Sequence, residues 1–426
     1  MAALEVKAVD RLVGTPVSYA YAVKAGPWIF LTGHEAFDFA AGVPDEVSGA
    51  PGLPLHGLPR SRREADFILR RMRAILQQFG SDLSQGLRLD QYYPNPRAVA
   101  EYHLARHAEF RDYIPPSTSV VMERCFGAHS TISSSLIAVV PGAGREIRKV
   151  HPEGVASAPT SGFVPTVVCD EFVFVAGQMA HNPGQGLDPR AHVPEHSAWA
   201  GIEIRKQTEF MIREKLRPAL AAAGSSFEQA LKAQVYLSDI ADLPDFLDVW
   251  NEHLGGSPCA ITIVPTKSFA TVGGIIEINL LALTSGARRQ KEVIEAGIPG
   301  MAAFGPCIRA GEFLLPSGLM AVGNDGCVVG ERVSPGFPGL AHAGQAQATA
   351  VYDYAEALCR AAGTSMPNTL RAQYFVSDLN QFPGIAMAWK SRFGAQPHPF
   401  VCIQTPPAMP APGAALIADF WISTLA

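Results

Sequence analysis

The sequence is short of charge, and the charge it has is mixed. Asp, Glu, Lys and Arg make up 17% of 426 residues, with 34 basic against 39 acidic residues, a formal net charge of −5 and no basic block. Nucleic-acid binding rests largely on neutralising phosphates with Lys and Arg, so no nucleic-acid partner is expected. No apolar run is long enough to span a bilayer, and the opening MAALEVKAVDRLVG lacks the apolar core of a secretion signal. The expectation is a cytoplasmic protein without a membrane partner. The seven cysteines (125, 169, 259, 307, 327, 359 and 402) are odd in number and scattered, and none forms CxxC. They read as reduced thiols rather than a disulfide framework or a zinc set. P-loop, GxSxG and GxGxxG fingerprints are all missing. The spacing in HLARH puts His103 and His107 on one helix face, as zinc ligands are, but no HExxH glutamate or third ligand accompanies them. HVPEH (His192, His196) sits in a proline-bearing loop. Neither a metal nor a cofactor is expected.

What is present is repetition. AQVYLSD (233–239) and AQYFVSD (372–378) are near copies, and DQYYPNP (90–96) is a worn third. Aligning Gln91, Gln234 and Gln373 gives offsets of 143 and 139. Each copy follows a helix-like run stopped by a glycine: Gly80, Gly224 and Gly363. Glycine there suits the left-handed residue after a helix. Upstream, three short apolar runs end in Gly33, Gly177 and Gly318 (WIFLTGH, FVFVAGQ, FLLPSGL). Downstream come three proline-led apolar runs, PPSTSVVM, PCAITIV and PHPFVCIQT. Four anchors recur in one order, at a period of a third of the chain, which is domain-sized rather than solenoid-sized. Three domains are expected, at 1–150, 151–288 and 289–426.

In the middle copy, EFVFVAG reads as a strand. EIRKQTEFMIREKLRPALAAAG carries Ile212, Leu216 and Leu220 four apart and reads as a helix, with Pro218 expected to kink it or start a new turn. ALKAQVYLSD, CAITIVP and GGIIEINLLAL read as strands. LPDFLDVWNEHLGG reads as a helix with Phe246, Val249, Trp250 and Leu254 on one side. The fold class is α+β: a mixed sheet with two helices on one face in each copy. Linkers are expected at 141–162 and 284–297.

These residues carry a resemblance. VFVAGQMA, QTEFMIREKLRPALAAAGSSFEQALKAQVYLSDIADLPDF, VWNEHLGG and IIEINLLAL, in that order, resemble the reactive-intermediate deaminase (Rid) family. The third copy shares it through AEALCRAAGTSMPNTLRAQYFVSDLNQF, and the first more weakly. The resemblance implies chorismate-mutase-like domains, a threefold arrangement with clefts between units, and here a single-chain pseudo-trimer, alone or stacked as a dimer. It also implies a small-molecule substrate. Family deaminases hold a substrate carboxylate with an arginine in a P-A-R-[ST] motif, suited to a bidentate guanidinium. That position reads Ser117, Ala260 and Pro399 here. Simple imine hydrolysis with the family arginine is therefore not expected.

Other residues at family cleft positions become the candidates. In the first copy, His34 and Glu35 follow Gly33, and Glu123, Arg124 and His129 lie on or after the arginine-position strand. His34, Glu35 and Glu123 are the expected catalytic residues, since histidine titrates near neutrality and pairs with a carboxylate as acid and base. Substrate binding is assigned to Arg124, Gly33, Tyr19, His129, Ser119, Gln178, His181, Lys267 and Glu277. Tyr19, Phe163 and Phe304 occupy a family aromatic position. The function expected is hydrolysis of a carboxylated enamine, imine or amide, of the kind met in aromatic or heterocycle breakdown. The alternative is a non-catalytic metabolite-binding or regulatory protein.

Overall fold

The structure, a computed structural model, describes residues 4–425 except 12–13, 16–17, 50–56, 156, 158–159, 183, 195, 197–200, 270, 300–304 and 331–341. Phe304 lies outside the described residues. The first third forms β1 (Glu5–Arg11), β2 (Ser18–Ala25), β3 (Trp28–His34), helix α1 (Arg60–Gln78), β4 (Gly86–Tyr93), helix α2 (Arg97–Phe110), β5 (Ser117–Val121) and β6 (Ser133–Val139). The middle third forms β7 (Arg148–Val150), β8 (Thr166–Cys169), β9 (Phe172–Gln178), helices α3 (Ile202–Met211) and α4 (Arg217–Ala222), β10 (Ala230–Leu237), α5 (Leu243–Leu254), β11 (Ala260–Pro265) and β12 (Ile276–Leu283). The last third forms β13 (Lys291–Ile294), β14 (Cys307–Ala310), β15 (Phe313–Leu315), α6 (Ala343–Ala361), β16 (Thr369–Val376), α7 (Phe382–Phe393), β17 (Phe400–Gln404) and β18 (Leu416–Ser423).

The three sheets share one order of six strands, β1-β2-β3-β6-β4-β5, β7-β8-β9-β12-β10-β11 and β13-β14-β15-β18-β16-β17, and the first sheet gains a seventh strand, Ser268–Phe269 from the middle third, beside β5. In each, one pair is parallel (β4 with β5, β10 with β11, β16 with β17), and a helix makes the crossover between its strands. The strand order recurs because the pattern of apolar runs and helix stops recurs. Gly80, Gly224 and Gly363 each take a left-handed φ, between 72° and 76°, after their helix. Helix α1 buries Ala65, Ile68, Leu69, Met72, Ile75 and Leu76, the stripe expected of a helix lying on a sheet. Helix α5 buries Phe246, Val249, Trp250 and Leu254. The segments expected to be linkers do more than link: β7 and β13 lie within them and pair as edge strands with β8 and β14. The middle sheet thus begins before residue 151.

Pro218 leaves its mark as a π-helical turn. Residues Ile212–Leu216 form it between α3 and α4. Proline has no N–H to give, and its ring crowds the carbonyl four residues back. Widening the preceding turn lets the helix continue.

Strands β4, β10 and β16 are buried along their whole length on both faces. One face is covered by helices, and the other meets the neighbouring sheets. Trp28, Phe30, Phe172, Phe313 and Trp421, drawn from all three sheets, share one apolar cluster there. Beside it lies a buried polar network. Asp90 is held by Arg88 (2.8 Å) and Arg371 (2.8 Å). Arg88 donates to Gln234 (2.6 Å), Gln234 to Gln373 (3.1 Å) and Gln373 to the Tyr92 hydroxyl (3.1 Å). Lys232 pairs with Asp419 at 3.0 Å.

This network corrects the alignment of the glutamines. Asp90, Gln234 and Gln373 pair with Thr118, Thr262 and Val401 on the parallel neighbour strands, so Asp90 holds the place of the two glutamines. Gln91 faces the other way, bonded to Ser117 and Arg106. A slip of one residue in a strand exchanges its two faces. The same slip moves the family arginine position in the first unit from Ser117 to Pro116, level with Ala260 and Pro399. At no register do these strands carry an arginine.

Candidate active site

The glycines Gly33, Gly177 and Gly318 mark three junctions where one sheet approaches another. A Cβ on Gly33 would lie 3.2 Å from Val401 Cα of β17, and one on Gly318 3.3 Å from Thr262 Cα of β11. A Cβ on Gly177 would lie 1.9 Å from Glu277 Oε1 and 3.0 Å from Thr118 Oγ1 of β5. Because only hydrogen fits at Gly177, a carboxyl group sits directly over its backbone.

The junction of the first and third sheets is full. The Phe400 ring lies 4.7 Å from Tyr19, 4.6 Å from Phe382 and 5.4 Å from Phe126. Tyr19 bonds to Thr32 Oγ1 (2.7 Å) and donates to the Gly33 carbonyl (2.7 Å). His34 is fully buried with Nε2 3.0 Å from the Tyr21 carbonyl, and burial holds its pKa well below the usual value. The register shift between Leu31 and His34 accounts for this, since a bulge re-aims the next side chain. Glu35 accepts from the Phe126 and Gly127 amides (2.9 and 2.7 Å), and burial raises its pKa to about 7. Glu123 turns outward to Lys267 at 3.4 Å. Arg124 and His129 are exposed, Arg124 pairing by its backbone with Gln404. No hydrogen bond joins His34 to Glu35 or Glu123 among the described residues. The expected first-copy set is dispersed between core and surface because aromatic rings occupy the space it would share.

The junction of the third and middle sheets is hollow and apolar. Its cavity of about 590 Å³ is lined by Trp250, Leu254, Ile261, Ile263, Met320 and Ile417, among others, and by no charged side chain among the described residues. A wider groove of about 1010 Å³ opens near Arg73, Glu109, Arg111 and Lys149, away from all three junction glycines. Arg73 and Glu109 pair there with each other.

The junction of the middle and first sheets is hollow and polar. Its cavity of about 180 Å³ is lined by Ser117 and Ser119 from β5, Val99 and His103 from α2, Gly177 and Gln178 from β9, His181, Lys215 and Glu277, with Phe163 at its wall. Ser119, Gln178, His181 and Glu277 thus come to one place, while Lys267 does not. Burial pushes the Glu277 carboxyl up to about 8, although the nearby Ser119 amide works the other way. Burial thus favours its neutral, proton-bearing form. His103 and His181 are neutral as well: burial lowers both, His103 to about 3. His103 Nε2 and His181 Nδ1 are buried without a hydrogen-bond partner. Asn279 holds Thr118 at 3.1 Å beside Gly177. The cavity therefore offers a carboxyl group, an ammonium, two uncharged imidazoles, five hydroxyls and an amide.

Position within the repeat does not mark Lys215 or His103 as a cleft residue. His103 stands out in the sequence only for its spacing to His107, which is exposed and bonds to the Thr160 carbonyl. Lys215 carries a usable signal: it falls on the helix stripe of Met211, Ile212, Leu216 and Ala219, where a charge is out of place.

The fold and this cleft define a class: an α+β unit with two helices on one face of a mixed sheet, and ligand-sized clefts where units meet. The sequence model of the Endoribonuclease L-PSP family matches residues 154–284, and this segment is a Rid-like domain of that family. It is similar to a RutC family protein of Pyrococcus abyssi, 28% identical over 128 residues, covering 30% of this chain and 90% of the relative. It is also similar to the 2-iminobutanoate/2-iminopropanoate deaminase of Bos taurus, 26% identical over 137 residues, covering 32% and 90%. Among solved structures, yeast Mmf1 aligns with a TM-score of 0.28 at 19% identity over 33% of this chain and 100% of its own. A chorismatase aligns with a TM-score of 0.43 at 12% identity, over 62% and 76%.

Proposed function

We propose that the protein is a small-molecule hydrolase of the deaminase type, working in the polar cleft between its first and middle units. Its substrate is a small carboxylated imine, enamine or amide. The three units, with the first boundary moved ahead of β7 to give 1–147, 148–288 and 289–426, form a single-chain pseudo-trimer, and fusion has let its three clefts diverge into one packed, one apolar and one polar. The deaminase activity for which the bovine relative is named supports C–N hydrolysis as the reaction type. The observation that carries the reading is the buried Glu277 carboxyl lodged over Gly177 in the polar cleft, where burial favours its neutral form.

Hydrolysis of an imine starts from that carboxyl. Glu277 gives its proton to the substrate nitrogen as water adds to the carbon, so a C–O bond forms and the C=N π pair moves to nitrogen. The Glu277 carboxylate takes a proton from the added water. Proton transfer to nitrogen and collapse of the carbinolamine break the C–N bond, releasing ammonia and an oxo compound. A carboxyl with a pKa near the working pH suits both halves of this exchange. Neutral His103 and His181 present ring nitrogens to the water and the substrate.

The test is ammonia release from 2-iminobutanoate generated in situ, and from larger carboxylated enamines and amides. Wild type is expected to turn over at least one, and Glu277→Gln none. Equal turnover by Glu277→Gln overturns the role of Glu277. Silence of wild type on every substrate favours a metabolite-binding protein, a reading for which the uncharged 590 Å³ cavity at the other junction is the supporting observation.

A further inference from the structure

The polar cleft has a surplus of positive charge. Lys215 lines it, is almost fully buried, and donates to the Gly154 carbonyl at 2.8 Å. Arg106 lies behind its wall, fully buried, donating to Ser117 Oγ (2.9 Å), to Gln91 Oε1 (3.0 Å) and to the Ser161 carbonyl. Among the described residues neither cation is in an ion pair with a carboxylate, and Arg106 Nε is buried with no partner. Among the described residues Glu277 is the one carboxyl lining the cavity; it is in an ion pair with neither cation, and burial favours its neutral form. Buried cations are costly unless an opposite charge answers them.

The helix is built to deliver Lys215. The π-helical turn Ile212–Leu216 contains it, and Pro218 requires that turn. A π turn adds a residue to one winding and rotates the rest of the helix, and such turns recur at functional sites. Lys215 lies within this turn on the inward stripe with Met211, Ile212 and Leu216, and its side chain is buried. Its ammonium lies 5.7 Å from the Phe210 ring centre, which fixes the stem along an apolar wall.

We propose that Lys215 is the carboxylate-binding residue of this cleft, taking from the helix side the task that the arginine strand no longer performs. Arg106 supports it by polarising Ser117, whose hydroxyl faces the same cavity. The anionic group of the ligand answers the surplus charge, which favours small acids over their esters. A single ammonium is a point charge with three rotatable donors, whereas a guanidinium is a rigid fork. The site therefore tolerates more than one carboxylate orientation.

This inference rests on the proposed location of the site, but its test reads binding and needs no turnover. The probes are 2-oxobutanoate, the acid left by hydrolysis of 2-iminobutanoate, and its methyl ester. Titration calorimetry measures both on wild type, Lys215→Met and Lys215→Arg. Wild type is expected to prefer the acid. Lys215→Met is expected to lose about 10- to 100-fold in affinity for the acid, the scale of one charge-assisted hydrogen bond, with ester affinity unchanged. Lys215→Arg is expected to restore the preference. A structural lysine would weaken acid and ester alike, and that result overturns the proposal. So does a wild type that does not distinguish them. Acid-selective binding without ammonia release from any substrate would leave the carboxylate site standing and remove only the hydrolase reading.

Discussion

Replacing Glu277 by Gln should make the protein more stable, and the gain should grow with pH. The carboxyl is buried and titrates at about 8 in the folded chain, against 4.5 for the unperturbed group. Below about pH 4.5 both folded and unfolded states hold the proton, and no penalty exists. Between the two values the unfolded state releases its proton and the folded state keeps it, so stability falls as pH rises. Above about pH 8 the loss is complete. A shift of this size corresponds to roughly 5 kcal/mol in full, at about 1.4 kcal/mol per pH unit, and to about 3 to 4 kcal/mol between pH 5 and pH 8. Glutamine fits the same space, keeps an oxygen for the Ser119 amide and carries no proton to lose. The assay is urea unfolding of wild type and Glu277→Gln at pH 5, 6.5 and 8. The stability difference should widen with pH in favour of the variant. Glu35, raised to about 7, gives both proteins a second slope of the same sign, which cancels in the difference. Parallel pH profiles for the two proteins would refute the reasoning, because Glu277 would then be ionised in the fold.

Gly177→Ala places a methyl 1.9 Å from Glu277 Oε1 and should cost about 1–3 kcal/mol by overpacking, with loss of ammonia release. Unfolding of Gly177→Ala beside the double variant with Glu277→Ala checks the cause, since removing the carboxyl should recover most of the stability. Phe400→Ala empties the packed junction and should cost about 3–5 kcal/mol while leaving kcat of the folded protein unchanged. A fall in kcat at constant folded fraction would return the site to the first and third units. Asp90→Ala leaves Arg88 and Arg371 buried without their carboxylate, and a loss of about 3–5 kcal/mol is expected in thermal or urea unfolding.

The architecture of one unit was legible because its signals are local. Helix-stop glycines, the apolar stripe of α5, the kink at Pro218 and the alternation of EFVFVAG each depend on a few neighbouring residues. Register was less legible. DQYYPNP matches the other heptapeptides best by letter with glutamines aligned, yet the burial of Asp90 between Arg88 and Arg371 fixes it one residue over. Both arginines belong to other positions in the repeat, and one comes from another unit. Of the cleft, Ser119, Gln178, His181 and Glu277 were found by position within the repeat. Lys215 was not, because its signal is a charge on the apolar stripe of a helix and not a position in the repeat.

The sequence by itself determined that four anchors recur three times in one order, and that none of the three proline-led runs among them has an arginine. Those facts are written in spacing and residue type. Which junction remains a cleft was decided only in the tertiary structure. Each junction is lined by residues from two units, far apart in the chain, and packing settles whether their side chains fill the gap. Phe400 meeting Tyr19 and Phe126 closes one junction. Ile261 and Met320 line a second, apolar one, and Ser117, Gly177 and the buried Glu277 carboxyl line the third, which is polar. The first copy has the most polar letters at its junction, but a bulge buries His34 and an outward turn spends Glu123 on Lys267.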